Sequence, residues 1–101
     1  HWAGYPCDMD EIHQVASDFR IPVIEDAAHA LGAVYKGRAI GSISPFTCFS
    51  FQAIKHLTTG DGGALCVGSA ELKREALRRR WFGIDREKAV PSDEGERAYN
   101  I

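Results

Sequence analysis

Two spacings of apolar residues alternate along the chain. Met9, Ile12, Val15, Ala16 and Phe19 recur every three or four positions, the stripe of an amphipathic helix of about three turns. Asp8 stands where an N-cap belongs and Glu11 lies three positions on, so Asp8-Met9-Asp10-Glu11 has the form of a capping box. Pro22 is expected to stop this helix, because the residue before a proline is pushed out of the helical region. Ile21-Pro22-Val23-Ile24 then runs apolar into Glu25-Asp26, a short buried strand of the kind found in parallel α/β sheets. Phe46 to Phe51 reads as a second strand and Ala64 to Val67 as a third. Between them, Lys36-Gly37-Arg38 predicts a turn joining two extended pieces within Ala33 to Ile40. Gln52 to Leu57 suits a short helical turn, and Thr58 to Gly63 is a glycine-rich loop. Ser69 can cap a second helix over residues 70–80, whose tail Arg78-Arg79-Arg80 suits the negative end of the helix dipole. From Asp85 on, the chain turns polar and acidic, with Pro91 and Gly95, and reads as a loop or frayed end. Helix and strand thus alternate, which predicts an α/β fold.

Composition narrows this picture. A chain of 101 residues with 45% hydrophobic and 26% charged residues is that of an ordinary globular protein, not a disordered one. A formal net charge of -2 supplies no strong field for nucleic acid or a membrane surface. No apolar run approaches the roughly 20 residues that cross a bilayer. Cys7, Cys48 and Cys66 are odd in number with no close pair, which fits a reducing, cytoplasmic setting and not a disulfide framework. The chain opens His1-Trp2-Ala3-Gly4 without Met or leader and stops at Asn100-Ile101 just after an apparent loop, so it is expected to be a piece of a longer polypeptide.

Candidate chemistry concentrates near strand ends. Asp26 stands at the C-terminal end of an apolar strand, where open α/β sheets hold their ligands. Lys55 follows another such strand, beside small and glycine-rich segments, where partial desolvation favours a nucleophilic amine. Ser50, the loop at residues 60–63 and backbone amides can hold an anion such as phosphate. On residue types alone this remains a weak pattern. A single Asp at a strand end is usually a cap or turn residue, a single Lys is usually solvated, and the glycines equally suit a tight turn feeding the third strand.

A set of short motifs in one order adds to it: Glu25-Asp26-Ala27-Ala28-His29-Ala30, Tyr35-Lys36-Gly37-Arg38, Gly41-Ser42, Phe49-Ser50-Phe51-Gln52-Ala53-Ile54-Lys55 and Asp61-Gly62-Gly63. With His1-Trp2-Ala3-Gly4 and Asp8-Met9-Asp10, the set resembles the DegT/StrS-type nucleotide-sugar aminotransferases, pyridoxal-phosphate (PLP) enzymes of fold type I, from residue 1 to about residue 83. The likeness is nearest to the branch that makes 4-amino-4-deoxy-arabinose or similar 4-amino sugars. Gln52 stands where that branch commonly has His, and Asp61 where many members have Glu, which leaves the sugar open.

The resemblance implies that residues 1–101 are the central part of a large PLP-binding α/β domain, with an N-terminal part and a small C-terminal domain outside the segment. It implies PLP as cofactor, a nucleotide-linked keto-sugar as substrate, glutamate as amino donor, and a homodimer, the isolated segment being inactive. Lys55 matches the lysine that forms the Schiff base and later moves the substrate proton. Asp26 matches the carboxylate facing the pyridine nitrogen, Ala28 the small residue against the ring face, and Ser50 a hydroxyl on the cofactor phosphate. His29 matches a position, often Gln in the family, near the phenolic oxygen. The enzymatic alternative is a PLP-dependent sugar dehydratase of the same fold, in which His replaces the lysine. Lys55 argues for transamination, although His56 adjoins it. The other alternative is a non-catalytic regulatory relative, against which intact Lys55 and Asp26 speak.

Two further groupings are read as structural. His1, Cys7 and His13 match no zinc-ligand spacing, so no metal site is expected. Lys73, Arg74 and Arg78 to Arg80, beside Trp81, suit a solvated helix face better than a nucleic-acid patch. Trp81 and Phe82 are expected to pack against the rest of the longer protein.

Overall fold

The computed structural model describes residues 1–80 and, beyond them, the short strands Val90–Pro91 and Arg97–Ala98. The chain divides into two units, His1–Gly68 and Ser69–Ile101.

The first unit opens with a single 3-10 turn, Trp2–Gly4. Helix α1 (Met9–Phe19) follows from the periodic stripe and begins after Asp8. The Asp8 side chain makes no capping hydrogen bond. A distant residue serves the helix start instead: the Asp10 N–H donates to the hydroxyl of Tyr35 at 3.3 Å. The helix ends before Pro22 acts on it. Arg20 adopts the left-handed conformation (φ 55°) and returns its N–H to the carbonyls of Ala16 and Ser17, the geometry of a helix C-terminus that usually recruits glycine. Only part of the apolar stripe is covered: Met9 and Ala16 are buried, whereas Phe19 is 73% exposed.

Three strands form the central sheet, β1 (Ile24–Asp26), β4 (Phe46–Ser50) and β5 (Gly63–Val67), in the order β1-β4-β5. Between β1 and β4, β2 (Val34–Tyr35) and β3 (Arg38–Ala39) make the expected hairpin. Lys36 (φ 47°) and Gly37 (φ 80°) both sit at positive φ, as a two-residue hairpin turn of matching twist requires. The turn is tied to α1: Asp10 accepts from Lys36 Nζ at 2.7 Å and from Arg38 Nη2 at 2.9 Å. The hydrogen bond from Lys36 is the main influence holding the Asp10 carboxyl below its ordinary range, and Asp10 in turn raises Lys36.

Strand β4 runs parallel to β1 and antiparallel to β5. The parallel arrangement expected of the strand that ends in Glu25-Asp26 is met by its pairing with β4, whereas β5 returns antiparallel. The reason is the connection: β4 and β5 are joined by a loop alone, whereas a parallel return requires a crossover element. Gln52 to Leu57 forms no helix. A single turn remains, with the Lys55 N–H on the Gln52 carbonyl at 2.9 Å, while the Gln52 side chain takes the Ile54 N–H at 3.3 Å. The side chain thus competes for the backbone donors a helix would use.

The register sorts the sheet into two faces. Glu25, Thr47 and Phe49 point to the inner face and are buried, joined by Met9, Ala27, Ala30, Tyr35 and Ile40 in the core. Ile24, Asp26, Cys48 and Leu65 share the outer face, and all are exposed.

In the second unit, α2 (Ala70–Arg80) starts as expected, with Ser69 Oγ accepting the Leu72 N–H at 3.2 Å. It buries no residue, and Glu75 lies 3.6 Å from Arg78 and 3.9 Å from Arg79, as suits a solvated charged helix. Within the stretch read as a loop, β6 (Val90–Pro91) pairs antiparallel with β7 (Arg97–Ala98). Trp81 and Phe82 lie outside the described residues.

Candidate active site

Parallel pairing places the C-terminal ends of β1 and β4 at one edge of the sheet. Asp26 closes β1 opposite Cys48, and Ser50 closes β4 one side-chain period further on. Their side chains therefore leave the same face of the sheet. The Asp26 carboxylate is exposed, and its Oδ1 accepts the N–H of Ala28 at 3.1 Å. That bond fixes the carboxylate plane and leaves Oδ2 without a partner among the described residues. Ala28 is half-buried beside it, and the Ala27 N–H continues the ladder to the Cys48 carbonyl at 2.8 Å.

His29 is held by the opening turn. The Ala3 N–H donates to His29 Nδ1 at 3.3 Å, and the Trp2 ring meets the imidazole edge-on with centroids 5.0 Å apart. Because Nδ1 accepts, the neutral ring carries its proton on Nε2, which is then a donor. Gly4, at φ +85°, permits this approach: a Cβ there would stand 3.0 Å from the His29 carbonyl oxygen.

Lys55 is half-buried on the loop after β4, and none of the ion pairs among the described residues involves it. The loop closes on Phe51, whose carbonyl takes the Thr59 N–H at 3.0 Å and the Thr58 hydroxyl at 3.0 Å. His56, next to the lysine, donates from Nε2 to the Leu31 carbonyl at 3.1 Å. This bond joins the lysine loop to the segment that carries Ala28 and His29.

The glycine loop acts as a turn. The Gly60 N–H is used by Thr58 Oγ1 at 2.9 Å, and the Phe51 N–H by the Gly62 carbonyl at 2.8 Å. Among the phosphate-cradle candidates Ser50 stands apart: it is half-buried at the strand end, and among the described residues its Oγ has only a long contact, 3.4 Å, with the Gln52 N–H.

One grouping carries no obvious motif. Glu25 is 3% exposed, and its carboxylate meets His1, Ser44 and Thr47, residues scattered along the chain. Strand alternation holds the only signal for it: with Asp26 outward, Glu25 must point inward, and a buried carboxylate needs donors.

The whole chain, residues 1–101, matches the DegT/DnrJ/EryC1/StrS aminotransferase family. The chain belongs to this family. A UDP-4-amino-4,6-dideoxy-N-acetyl-beta-L-altrosamine transaminase of Campylobacter jejuni is 39% identical over 98% of the chain and 26% of that protein. A UDP-4-amino-4-deoxy-L-arabinose–oxoglutarate aminotransferase of Shewanella sediminis is 46% identical over 83% of the chain and 21% of that protein. Among solved structures, AtS13 from Actinomadura melliaura superposes with a TM-score of 0.86 at 45% identity, over 100% of this chain and 28% of that one. The chain thus spans about a quarter of the length of the curated relatives it matches. Its α/β architecture is that of the DegT/DnrJ/EryC1/StrS aminotransferases.

Proposed function

We propose that this segment is the cofactor-holding core of a PLP-dependent aminotransferase whose full-length form aminates a nucleotide-linked keto-sugar. The observation that carries the reading is the open Asp26 Oδ2 at the same sheet edge as Ser50, with the Lys55 loop tied by His56 to the segment after Asp26. The donor set fits PLP. Asp26 offers a carboxylate oxygen to a ring nitrogen, Lys55 an amine to a carbonyl, and Ser50 a hydroxyl to a phosphate. His29 offers an Nε2–H to a phenolic oxygen, and Ala28 leaves room for a flat ring. When bound, PLP supplies an electron sink for the carbon that exchanges its amino group. Asp26 then keeps the ring nitrogen protonated, and Lys55 moves the proton at the reacting carbon.

Family membership and the names of the relatives support the substrate class. The Campylobacter and Shewanella relatives are named for UDP-linked amino sugars, and the Shewanella relative also for oxoglutarate, which favours glutamate as the amino donor. The full-length protein is read as a homodimer of the cytoplasm, and the isolated segment as inactive.

The test uses the full-length protein loaded with PLP. Borohydride should fix the cofactor onto the peptide containing Lys55, and Lys55→Ala should abolish fixation. Fixation that persists in Lys55→Ala overturns the assignment.

A further inference from the structure

The inner face of β1 carries a buried polar network that the proposed cofactor site does not use. Glu25, whose side chain is 1% exposed, accepts from the Ser44 N–H at 2.9 Å and the Thr47 hydroxyl at 3.2 Å through Oε1. Through Oε2 it meets His1 Nε2 at 2.7 Å, and the His1 side chain is itself only 2% exposed. The tautomer of His1 follows from its other nitrogen. Nδ1 accepts the Cys7 N–H at 3.0 Å, so the neutral ring carries its proton on Nε2 and donates it to Glu25. Among the described residues, no buried side-chain nitrogen or oxygen lacks a partner.

The ring of His1 holds the side chain of Glu25, the residue before Asp26 on β1. The Ala27 N–H reaches the Cys48 carbonyl of β4 at 2.8 Å. The strand end is thereby held through Glu25 on the inner face and through β4 along the sheet, and Asp26 Oδ1 is held by the Ala28 N–H.

We propose that His1 and Glu25 are positioning residues for Asp26, a buried clamp that fixes the strand end so that Oδ2 faces the nitrogen of a bound pyridine ring. The inference rests on the reading of Asp26 given under Proposed function. A charge-assisted hydrogen bond weakens steeply with misalignment, so a short strand needs such support to aim one. Neither residue touches the cofactor; both act through Asp26.

The test compares four variants of the full-length protein, reading the PLP dissociation constant, the visible band of bound PLP against pH, and the melting temperature without PLP. Asn copies the Nδ1 position of histidine and Gln the Nε2 position. His1→Asn therefore keeps the Cys7 bond and drops Glu25, whereas His1→Gln keeps a donor to Glu25. Glu25→Gln keeps the shape but turns a donor toward His1, and Asp26→Asn checks the underlying reading. His1→Asn and Glu25→Gln should each weaken PLP binding about tenfold, the equivalent of one net hydrogen bond, and move the band in the same sense as Asp26→Asn. His1→Gln should restore both. If Asp26→Asn moves the band while His1→Asn and Glu25→Gln bind PLP like the parent, the clamp is overturned and the cofactor reading stands, whatever the melting temperatures. If Asp26→Asn leaves the band unmoved, the cofactor reading falls and the clamp with it. Should Glu25→Gln not fold, the His1→Asn and His1→Gln pair decides alone.

Discussion

The N–H of Ala28 donates to Asp26 Oδ1 at 3.1 Å, so the carboxylate is oriented by its own chain and offers one oxygen outward. Asparagine can accept the same N–H through its own Oδ1, which separates charge from geometry. Asp26→Asn should therefore leave the fold nearly as stable as the parent, within about 0.5 kcal/mol, the usual range for an exposed substitution. Turnover of the full-length enzyme should fall on the order of 100-fold or more, the scale of losing one preorganised electrostatic partner. Chemical denaturation and steady-state rates read the two effects separately. A variant with parental turnover would show that the Asp26 charge has no part in the reaction.

The start of α1 makes a prediction against the usual rule. An N-cap Asp replaced by Ala ordinarily costs about 0.5–2 kcal/mol. Asp8 makes no capping bond here, and the Asp10 N–H rests on the Tyr35 hydroxyl. Asp8→Ala should thus change stability by less than about 0.5 kcal/mol. Tyr35→Phe should cost about 0.5–1.5 kcal/mol, the net value of one hydrogen bond. Urea midpoints at equal slope settle the order, and a larger loss from Asp8→Ala would contradict it.

These two cases show what the sequence carries and what it does not. Met9, Ile12 and Ala16 announce a helix because periodicity is local, and Gly37 announces a hairpin because its position in the turn has positive φ. The place of Asp26 at a strand end is legible for the same reason, since it closes an apolar run, whereas the run through Ser50 continues to Phe51 and the strand end at Ser50 emerges only from its pairing with Gly63. The partner of the Asp10 N–H stands 25 positions away, and no spacing rule points to Tyr35. The direction of β5 is likewise hidden, because Ala64-Leu65-Cys66-Val67 is apolar throughout and so short a run does not carry the direction of its pairing. The donors to Glu25 lie at His1, Ser44 and Thr47, brought together only when β1 pairs with β4.

Asp10 gives the fold a pH signature. Its carboxyl is held below its ordinary range, first by the hydrogen bond from Lys36. A depressed folded-state value means that the contribution is present above about pH 4 and is lost as the pH falls through the folded value. Lys36 is raised by the same bond, so its contribution is present below about pH 10.4 and fades as the pH climbs through the raised value. Asp10→Asn should flatten the stability profile at both ends and should matter less at high salt, because the pair is exposed. Melting temperatures measured against pH at low and high salt test this; identical acid slopes in parent and variant would refute it.

Gly63 begins β5 where an added Cβ would stand 2.7 Å from the Phe49 carbonyl oxygen. Backbone cannot yield as a flexible side chain does, so Gly63→Ala should push β5 off β4 at a cost of about 1–3 kcal/mol. Gly37, at φ +80°, has open space around it, and Gly37→Ala should cost only the left-handed backbone term, about 1–2 kcal/mol. The two differ in reach. Gly63 pairs with Ser50, so its substitution should also weaken PLP binding, whereas Gly37→Ala should leave binding unchanged. Equal PLP affinities for the two variants would detach Ser50 from the cofactor.

His56 adjoins the lysine and donates from Nε2 to the Leu31 carbonyl at 3.1 Å. The bond is exposed, so its effect on global stability should be small. Its local effect should be larger, because it joins the Lys55 loop to the segment after Asp26. His56→Ala frees the loop, and ordering it again on binding should weaken PLP two- to tenfold, matching about 0.4–1.4 kcal/mol, the scale of one net hydrogen bond. His56→Gln places a donor at the Nε2 position and should recover most of that loss. A His56→Gln variant that binds PLP no better than His56→Ala would show that His56 does not act through the Leu31 bond.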